Sequence, residues 1–118
     1  MQELHVALVE NDASLNRAYA RLLRAQGCRV DAFLSAEAFL AAGLRPACLV
    51  LDVDLDGMSG LALQRHLRAG NDPLPIIFIT GGDTAEAEQL ARAQGCHGFI
   101  RKPFGGAQLH AAISLAVI

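Results

Sequence analysis

Apolar residues along the chain fall into five short runs separated by longer segments of mixed character. The runs lie at about residues 4–9, 28–34, 48–52, 75–80 and 97–101, and the first, third and fourth are largely apolar throughout. Short apolar runs of this length are typical of strands that are buried on both faces of a parallel sheet. The pattern therefore predicts five parallel strands.

The segments that follow the runs have the apolar spacing of helices. The first, residues 13–26, is predicted to stop at Gly27, and its apolar positions are Leu15, Ala18, Tyr19, Leu22 and Leu23. Asp83, with Glu86 three residues later, has the spacing of a capping pair for the fourth helix. The remaining helices are predicted at about 36–43, 59–70 and 106–117. Strands that alternate with helices in this way predict an α/β fold, a doubly wound parallel sheet with helices on both faces.

Length and composition narrow the function classes. The 118 residues are expected to form one domain, 1–118, and a net charge of -2 argues against direct binding of nucleic acid or of a membrane. Cys28, Cys48 and Cys96 lack the spacing of a disulfide framework or a zinc site, and the four histidines share no metal-ligand spacing. Without a signal peptide or a long apolar run, the expected location is the cytoplasm.

Polar residues stand where four of the five strands end. Glu10, Asn11 and Asp12 follow the first strand, Asp52 ends the third, Thr80 ends the fourth and Lys102 follows the fifth. The carboxyl ends of parallel strands meet at one edge of a sheet, so we expect these side chains to converge there. Clustered carboxylates with oxygen donors around them favour Mg²⁺, and room for phosphate beside the metal is expected.

This cluster has the groups needed for phosphoryl transfer. An ionised aspartate beside a metal can attack phosphorus to give an acyl phosphate, and a hydroxyl and an ammonium can contact the remaining phosphoryl oxygens. Asp52, Thr80 and Lys102 supply these three groups. Taken alone, Asp52 also fits a turn cap, Lys102 an exposed lysine, and Asp12 an N-cap of the first helix, which is the interpretation we prefer for Asp12.

Four segments, in order and at matching spacing, resemble the receiver domain of bacterial two-component response regulators. They are Val9-Glu10-Asn11-Asp12, Asp52 with Gly57-Met58-Ser59-Gly60, Phe78-Ile79-Thr80-Gly81, and Lys102-Pro103-Phe104. Ser35-Ala36-Glu37-Ala38-Phe39-Leu40 and Arg101-Lys102-Pro103-Phe104 are most similar to FixJ-type receivers. The resemblance implies the CheY-like (βα)5 fold with strand order 2-1-3-4-5.

The resemblance also implies a phosphorylation site. Asp52 would accept a phosphoryl group from a sensor histidine kinase or a phosphotransfer protein. The ligands of Mg²⁺, or of Mn²⁺ in its place, would be Glu10, Asn11, Asp52 and the backbone carbonyl of Asp54. Within this family such a protein is a signalling switch that gains and loses its own phosphoryl group, not an enzyme that turns over a separate substrate.

Switching is assigned to the strands next to the acceptor. By the resemblance, Thr80 is the switch hydroxyl, Phe99 the rotating aromatic residue, and a cis peptide bond precedes Pro103. The output is expected from the face formed by the fourth helix, fifth strand and last helix, toward a downstream effector domain or protein. Residues 103–118 contain no Asp, Glu, Lys or Arg, which indicates an interface, such as a homodimer through the last helix, or a cut before a following domain.

The sequence departs from the family pattern at three places and leaves two alternatives. Asn11 is neutral where an acid is usual, Asp56 stands where many receivers have proline, and Gly81-Gly82 replaces a longer side chain. Asn11 therefore favours a second hypothesis, a degenerate receiver that binds partners without phosphorylation. A third hypothesis is a phosphatase of the haloacid-dehalogenase type with a nucleophile motif at Asp52-Val53-Asp54 or Asp54-Leu55-Asp56-Gly57.

Overall fold

The computed structural model describes residues 3–82 and 85–118, and strands and helices alternate along this part of the chain. The strands are β1 His5–Val9, β2 Arg29–Phe33, β3 Cys48–Asp52, β4 Ile76–Thr80 and β5 Gly98–Arg101. The helices are α1 Ala13–Ala25, α2 Ala36–Ala42, α3 Gly60–Ala69, α4 Ala85–Ala93 and α5 Gly106–Ala116. The predicted capping pair of Asp83 and Glu86 lies partly outside the described residues, because Asp83 is not among them.

All neighbouring strands of the sheet are parallel, in the order β2-β1-β3-β4-β5. Val9 pairs with Leu51, Asp52 pairs with Ile79, and Thr80 pairs with Arg101. The carboxyl ends of β1, β3, β4 and β5 therefore lie side by side at one edge. The predicted α/β fold and strand order are confirmed.

Every residue of β3 is buried, as expected for a central strand covered by helices on both faces. Successive side chains of a strand point to opposite faces, so Leu49 and Leu51 belong to one apolar cluster and Cys48 and Val50 to the other. Phe39 of α2 and Leu63 of α3 contribute to the first cluster, and residues of α1 and α5 contribute to the second. The two clusters cover both faces of β3 and leave its last residue, Asp52, at the carboxyl edge.

The inward face of α1 differs from the predicted one. Its buried residues are Asn16, Ala20 and Leu23, whereas Ala18 is exposed, so the placement of Ala18 on the core face was wrong. The Asn16 side chain donates to the carbonyls of Glu10, at 3.0 Å, and Phe33, at 2.8 Å. A polar residue can lie on this face because its side-chain amide is satisfied by two backbone carbonyl oxygens at the ends of β1 and β2. Apolar spacing alone does not reveal such a position.

The cysteines are free thiols, of which Cys48 is buried and Cys28 and Cys96 are partly buried. Burial raises the pKa of the Cys48 thiol to about 12, which keeps it protonated and unreactive. Among the described residues, no helix is both long enough and apolar enough to cross a bilayer.

Candidate functional site

Two carboxylates and one ammonium meet at the carboxyl edge of the sheet. Glu10, which directly follows β1, is 0% exposed, and Asp52, the last residue of β3, is 3% exposed. Lys102 follows β5, and its Nζ atom lies 2.5 Å from Glu10 Oε1 and 2.9 Å from Asp52 Oδ2. The structure thus brings together three of the residues that the sequence singled out.

The second oxygen of each carboxylate accepts a hydrogen bond from a backbone N–H two residues further along the chain. Asp12 N donates to Glu10 Oε2 at 3.1 Å, and Asp54 N donates to Asp52 Oδ1 at 2.9 Å. These bonds hold both carboxylates in fixed orientations. Asp12 itself is the N-cap of α1, since its Oδ1 accepts from Leu15 N at 2.9 Å, which confirms the capping role preferred from the sequence.

The charges at this site do not cancel, because one ammonium faces two carboxylates. The pKa of Asp52 is raised to about 6, because burial and the neighbouring Glu10 carboxylate, which both raise it, outweigh Lys102 and the Asp54 N–H, which lower it. Burial by itself lowers the pKa of Lys102, but its hydrogen bonds to Glu10 and Asp52 outweigh that effect and the pKa is raised. Lys102 is therefore a cation at neutral pH, and the site favours one more positive charge.

Thr80 and Phe99 lie on the two strands that follow β3 in the sheet. Thr80 is 0% exposed at the end of β4, and its hydroxyl accepts from Gly82 N at 3.4 Å. Its carbonyl accepts from Lys102 N at 2.7 Å, so Lys102 is anchored to the end of β4. Phe99, on β5, is partly buried, with its ring centroid 6.0 Å from that of Phe78. The Lys102–Pro103 peptide bond is cis.

The loop from Val53 to Ser59 is held at its C-terminal end by a close backbone contact and by a hydrogen bond. A Cβ atom on Gly60 would lie 2.2 Å from the carbonyl oxygen of Asp52, so only glycine allows α3 to begin against the end of β3. Met58 N donates to Glu37 Oε2 at 2.9 Å, a bond from the start of α2 to this loop. The sequence analysis gave Glu37 no role. Its place in the FixJ-like segment was the signal that could have indicated one.

The donor chemistry around Asp52 fits a magnesium ion. The predicted ligands are all oxygen atoms, and two carboxylates against one ammonium leave a negative charge for a cation to neutralise. Asn11 and Asp54 are exposed at the rim, where their oxygens can reach a cation from the solvent side. No group of three His, Cys, Asp or Glu side chains with metal-binding geometry occurs within residues 3–82 and 85–118. Any bound cation therefore depends on backbone, amide and water oxygens besides Glu10 and Asp52.

Comparison with known proteins places this arrangement in a family. The sequence model described as the response regulator receiver domain matches residues 6–114. The chain belongs to this family. The receiver is 34% identical to the crystal structure of FixJ-N, with a TM-score of 0.91, over 99% of this chain and 95% of that one. The FixJ-type resemblance seen in the sequence is confirmed.

Two curated relatives show the same family and a greater length. The response regulator protein TmoT of Ectopseudomonas mendocina is 40% identical over 98% of this chain and 54% of its own length. The transcriptional regulatory protein FixJ of Bradyrhizobium diazoefficiens is 35% identical over 96% of this chain and 56% of its own length. The chain thus spans about half the length of these relatives. The family match does not favour the phosphatase hypothesis.

Proposed function

We propose that this receiver accepts a phosphoryl group on Asp52 and thereby switches a partner or an effector domain. The observation that carries the proposal is the contact between a buried carboxylate and a partly buried ammonium, Asp52 Oδ2 and Lys102 Nζ, at the carboxyl edge of the central strand. The phosphoryl donor is a sensor histidine kinase or a phosphotransfer protein of the two-component class.

In the transfer, an oxygen of ionised Asp52 attacks phosphorus, an O–P bond forms, and the P–N bond of a phosphohistidine breaks as the imidazole takes up a proton. Lys102 already lies within hydrogen-bond distance of Asp52, so its ammonium stays close enough to bind an oxygen of the transferred group. Glu10, Asn11, Asp52 and the Asp54 carbonyl would hold Mg²⁺ or Mn²⁺. The cation supplies neutralisation of phosphoryl charge.

The switch follows from the position of Thr80 beside the acceptor. The Thr80 hydroxyl is buried and bound only weakly, to Gly82 N at 3.4 Å, so it is available to a phosphoryl oxygen. A shift of Thr80 toward the phosphoryl group opens space beside β4 into which Phe99 turns, which alters the face of α4, β5 and α5. Because the relatives are about twice as long, the output is assigned to an effector domain or protein.

Three further parts of the proposal concern the whole protein. Residues 1–118 act as one receiver domain in the cytoplasm, as a switch that gains and loses its own phosphoryl group without turning over a separate substrate. The surface of α5 provides a homodimer contact, since Leu115 is 70% exposed on a helix without charged side chains. The segment itself makes no direct contact with nucleic acid or membrane.

The test is phosphorylation by a small phosphodonor, phosphoramidate, with Mg²⁺, followed by intact mass measurement. Wild type should gain one phosphoryl group that is stable in acid and labile in base, and Asp52→Asn should gain none. Asp54→Asn is the matched control, because it makes the same change two residues away on an exposed side chain and keeps the backbone carbonyl. An unmodified wild type, or a modified Asp52→Asn, contradicts the proposal.

A degenerate receiver remains the second candidate because Asn11 provides a neutral, exposed amide where the family usually has an acid. The two candidates differ in their response to Mg²⁺ and beryllium fluoride, a phosphoryl analogue. Saturable amide shifts around Asp52 and Thr80 in an NMR titration support the phosphorylated switch. Unchanged spectra up to millimolar Mg²⁺ support the degenerate receiver.

A further inference from the structure

A row of arginines lines a groove between α1 and the edge strand β2. Arg17, Arg21 and Arg24 follow one another at helical spacing, so they lie along one face of α1. They surround a groove of about 390 Å³ whose other lining residues are Asn16, Ala20 and Ala32. The groove is separate from the cluster of Glu10, Asp52 and Lys102.

The positive charge of this groove is not neutralised by the protein. Residues 13–33 contain four arginines and a single acid, Asp31, although the whole chain has a net charge of -2. Asp31 accepts from His5 Nε2 at 2.6 Å, and within the described residues no carboxylate forms an ion pair with any arginine of the groove. Arg17 binds the Ser14 hydroxyl and Arg24 the Val30 carbonyl, both neutral oxygens. The guanidinium groups of the groove are therefore free to bind an anionic partner.

We infer that the groove of α1 and β2 docks an acidic segment of a partner protein, one that presents a row of carboxylates. The three arginines span eight residues of α1, about 10 Å along the helix axis. A partner helix with carboxylates at the same spacing presents matching charges over the same length, and arginine binds carboxylates through two parallel N–H bonds. The small side chains of Ala20 and Ala32 leave room for close approach between the arginines.

An exposed leucine just after β2 favours a protein over a nucleic acid as the partner. Leu34, the residue after β2, is 54% exposed and lies at the end of the strand that forms one wall. Duplex DNA binding depends on phosphate neutralisation across a wide basic surface, whereas here the positive charge is confined to one narrow row. A narrow charged row, with an exposed leucine after the strand that forms one wall, matches an amphipathic acidic segment.

Fluorescence anisotropy tests the inference with a labelled alanine-based helical peptide that has glutamates at positions i, i+4 and i+7. We expect saturable binding that weakens with salt, and amide shifts confined to residues 16–24 and 32–34 in the labelled receiver. Arg17→Glu with Arg21→Glu should weaken binding by about tenfold or more, since each like-charge contact replaces an attraction. Both residues are exposed, and within the described part of the chain neither side chain donates a hydrogen bond to the backbone, so the variant should fold, which circular dichroism checks.

The matched control is Arg45→Glu with Arg65→Glu, two exposed arginines outside the groove that give the same change in net charge. The control should bind the peptide like wild type, and equal loss in both variants overturns the inference, because attraction to overall charge would explain it. Two further results would also overturn the inference: equal binding of a peptide with glutamine in place of glutamate, or tighter binding of a 12-base-pair DNA duplex. Asp52→Asn should bind normally, so failure of phosphorylation and failure of docking are distinguishable.

Discussion

Lys102 Nζ lies 2.5 Å from Glu10 Oε1, although 92 residues separate the two in the chain. The same nitrogen contacts Asp52 at 2.9 Å, so one ammonium compensates two buried carboxylates on different strands. Removing a buried partner leaves the remaining charges without compensation, which costs more than the bond itself. The stability of this edge of the sheet therefore depends on Lys102.

Lys102→Met should lower the free energy of unfolding by about 2 kcal/mol at pH 7, because the two buried carboxylates Glu10 and Asp52 then repel one another without a compensating ammonium. Urea unfolding monitored by circular dichroism measures the loss. Arg101→Met is the control, because Arg101 directly precedes Lys102 and forms an exposed ion pair with Glu88. Loss of that pair should change the free energy of unfolding by less than about 0.5 kcal/mol. Equal losses of unfolding free energy in the two variants would show that the contacts of Lys102 with Glu10 and Asp52 stabilise the fold no more than an exposed ion pair does.

Asp52→Asn should stabilise the metal-free protein at neutral pH. The pKa of Asp52 is about 6 in the folded protein, against 3.8 for an unperturbed aspartate, so the folded state binds the proton more tightly than the unfolded chain does. Stability contributed by this group is present below pH 4 and is lost as the pH rises through about 6. The variant lacks this loss and should be more stable than wild type by about 1–2 kcal/mol at pH 7.

Urea unfolding between pH 4 and 7.5 in the presence of EDTA measures the difference between Asp52→Asn and wild type. The two stability curves should converge toward pH 4 and separate above it. Asp54→Asn, an exposed change with the same loss of charge, should stay parallel to wild type. A difference that is constant with pH would contradict the raised pKa of Asp52.

Gly60→Ala should destabilise the fold by about 3 kcal/mol or prevent it from forming, since the added methyl group would lie 2.2 Å from the Asp52 carbonyl oxygen and α3 could start only after moving away. Gly70→Ala is the control at the other end of α3, where the nearest atom would be 3.6 Å away. Thermal unfolding of both variants compares them. A larger loss of thermal stability in Gly70→Ala than in Gly60→Ala would contradict the close contact between Gly60 and the Asp52 carbonyl.

Glu37→Ala should speed amide hydrogen exchange at Met58, because the 2.9 Å bond from Met58 N to Glu37 Oε2 is lost. Glu37→Gln keeps an acceptor oxygen and should retain most of the protection. The Met58 N–H lowers the pKa of Glu37, so in wild type the protection should persist to below the usual pKa of a glutamate. Exchange measured by NMR across pH, with the exposed Glu86→Ala as control, tests all three expectations.

The sequence predicts most of the fold because its apolar runs and glycines act locally. The β3 run and the breaks at Gly27 and Gly43 fix element ends through backbone geometry, and both glycines have positive φ in the structure. The sequence could also predict that Asp52, Thr80 and Lys102 lie at the same edge of the sheet, because the carboxyl ends of parallel strands meet there. These predictions needed no knowledge of side-chain packing.

Two glutamines show what the sequence could not reveal. Gln64 is 0% exposed on α3, where its Nε2 donates to the Ala91 carbonyl at 2.9 Å and its Oε1 accepts from Gln94 at 2.6 Å. These bonds join α3 to Ala91 of α4 and to Gln94, the residue after α4, and they depend on the rotation of both helices about their axes. Apolar spacing sets that rotation only approximately, as the exposed Ala18 shows on α1, so buried polar contacts between helices stay hidden in the sequence.

The strand order has a consequence for how the protein is made. Glu10 and Asp52 lie in the first half of the chain, and their strands are flanked by β2 and β4, but the cation between them follows the last strand. A ribosome that has released residues 1–90 therefore holds a chain with both acids and without their ammonium. The three charged groups can therefore meet only after Lys102 has left the ribosome and β5 has joined the edge of the sheet.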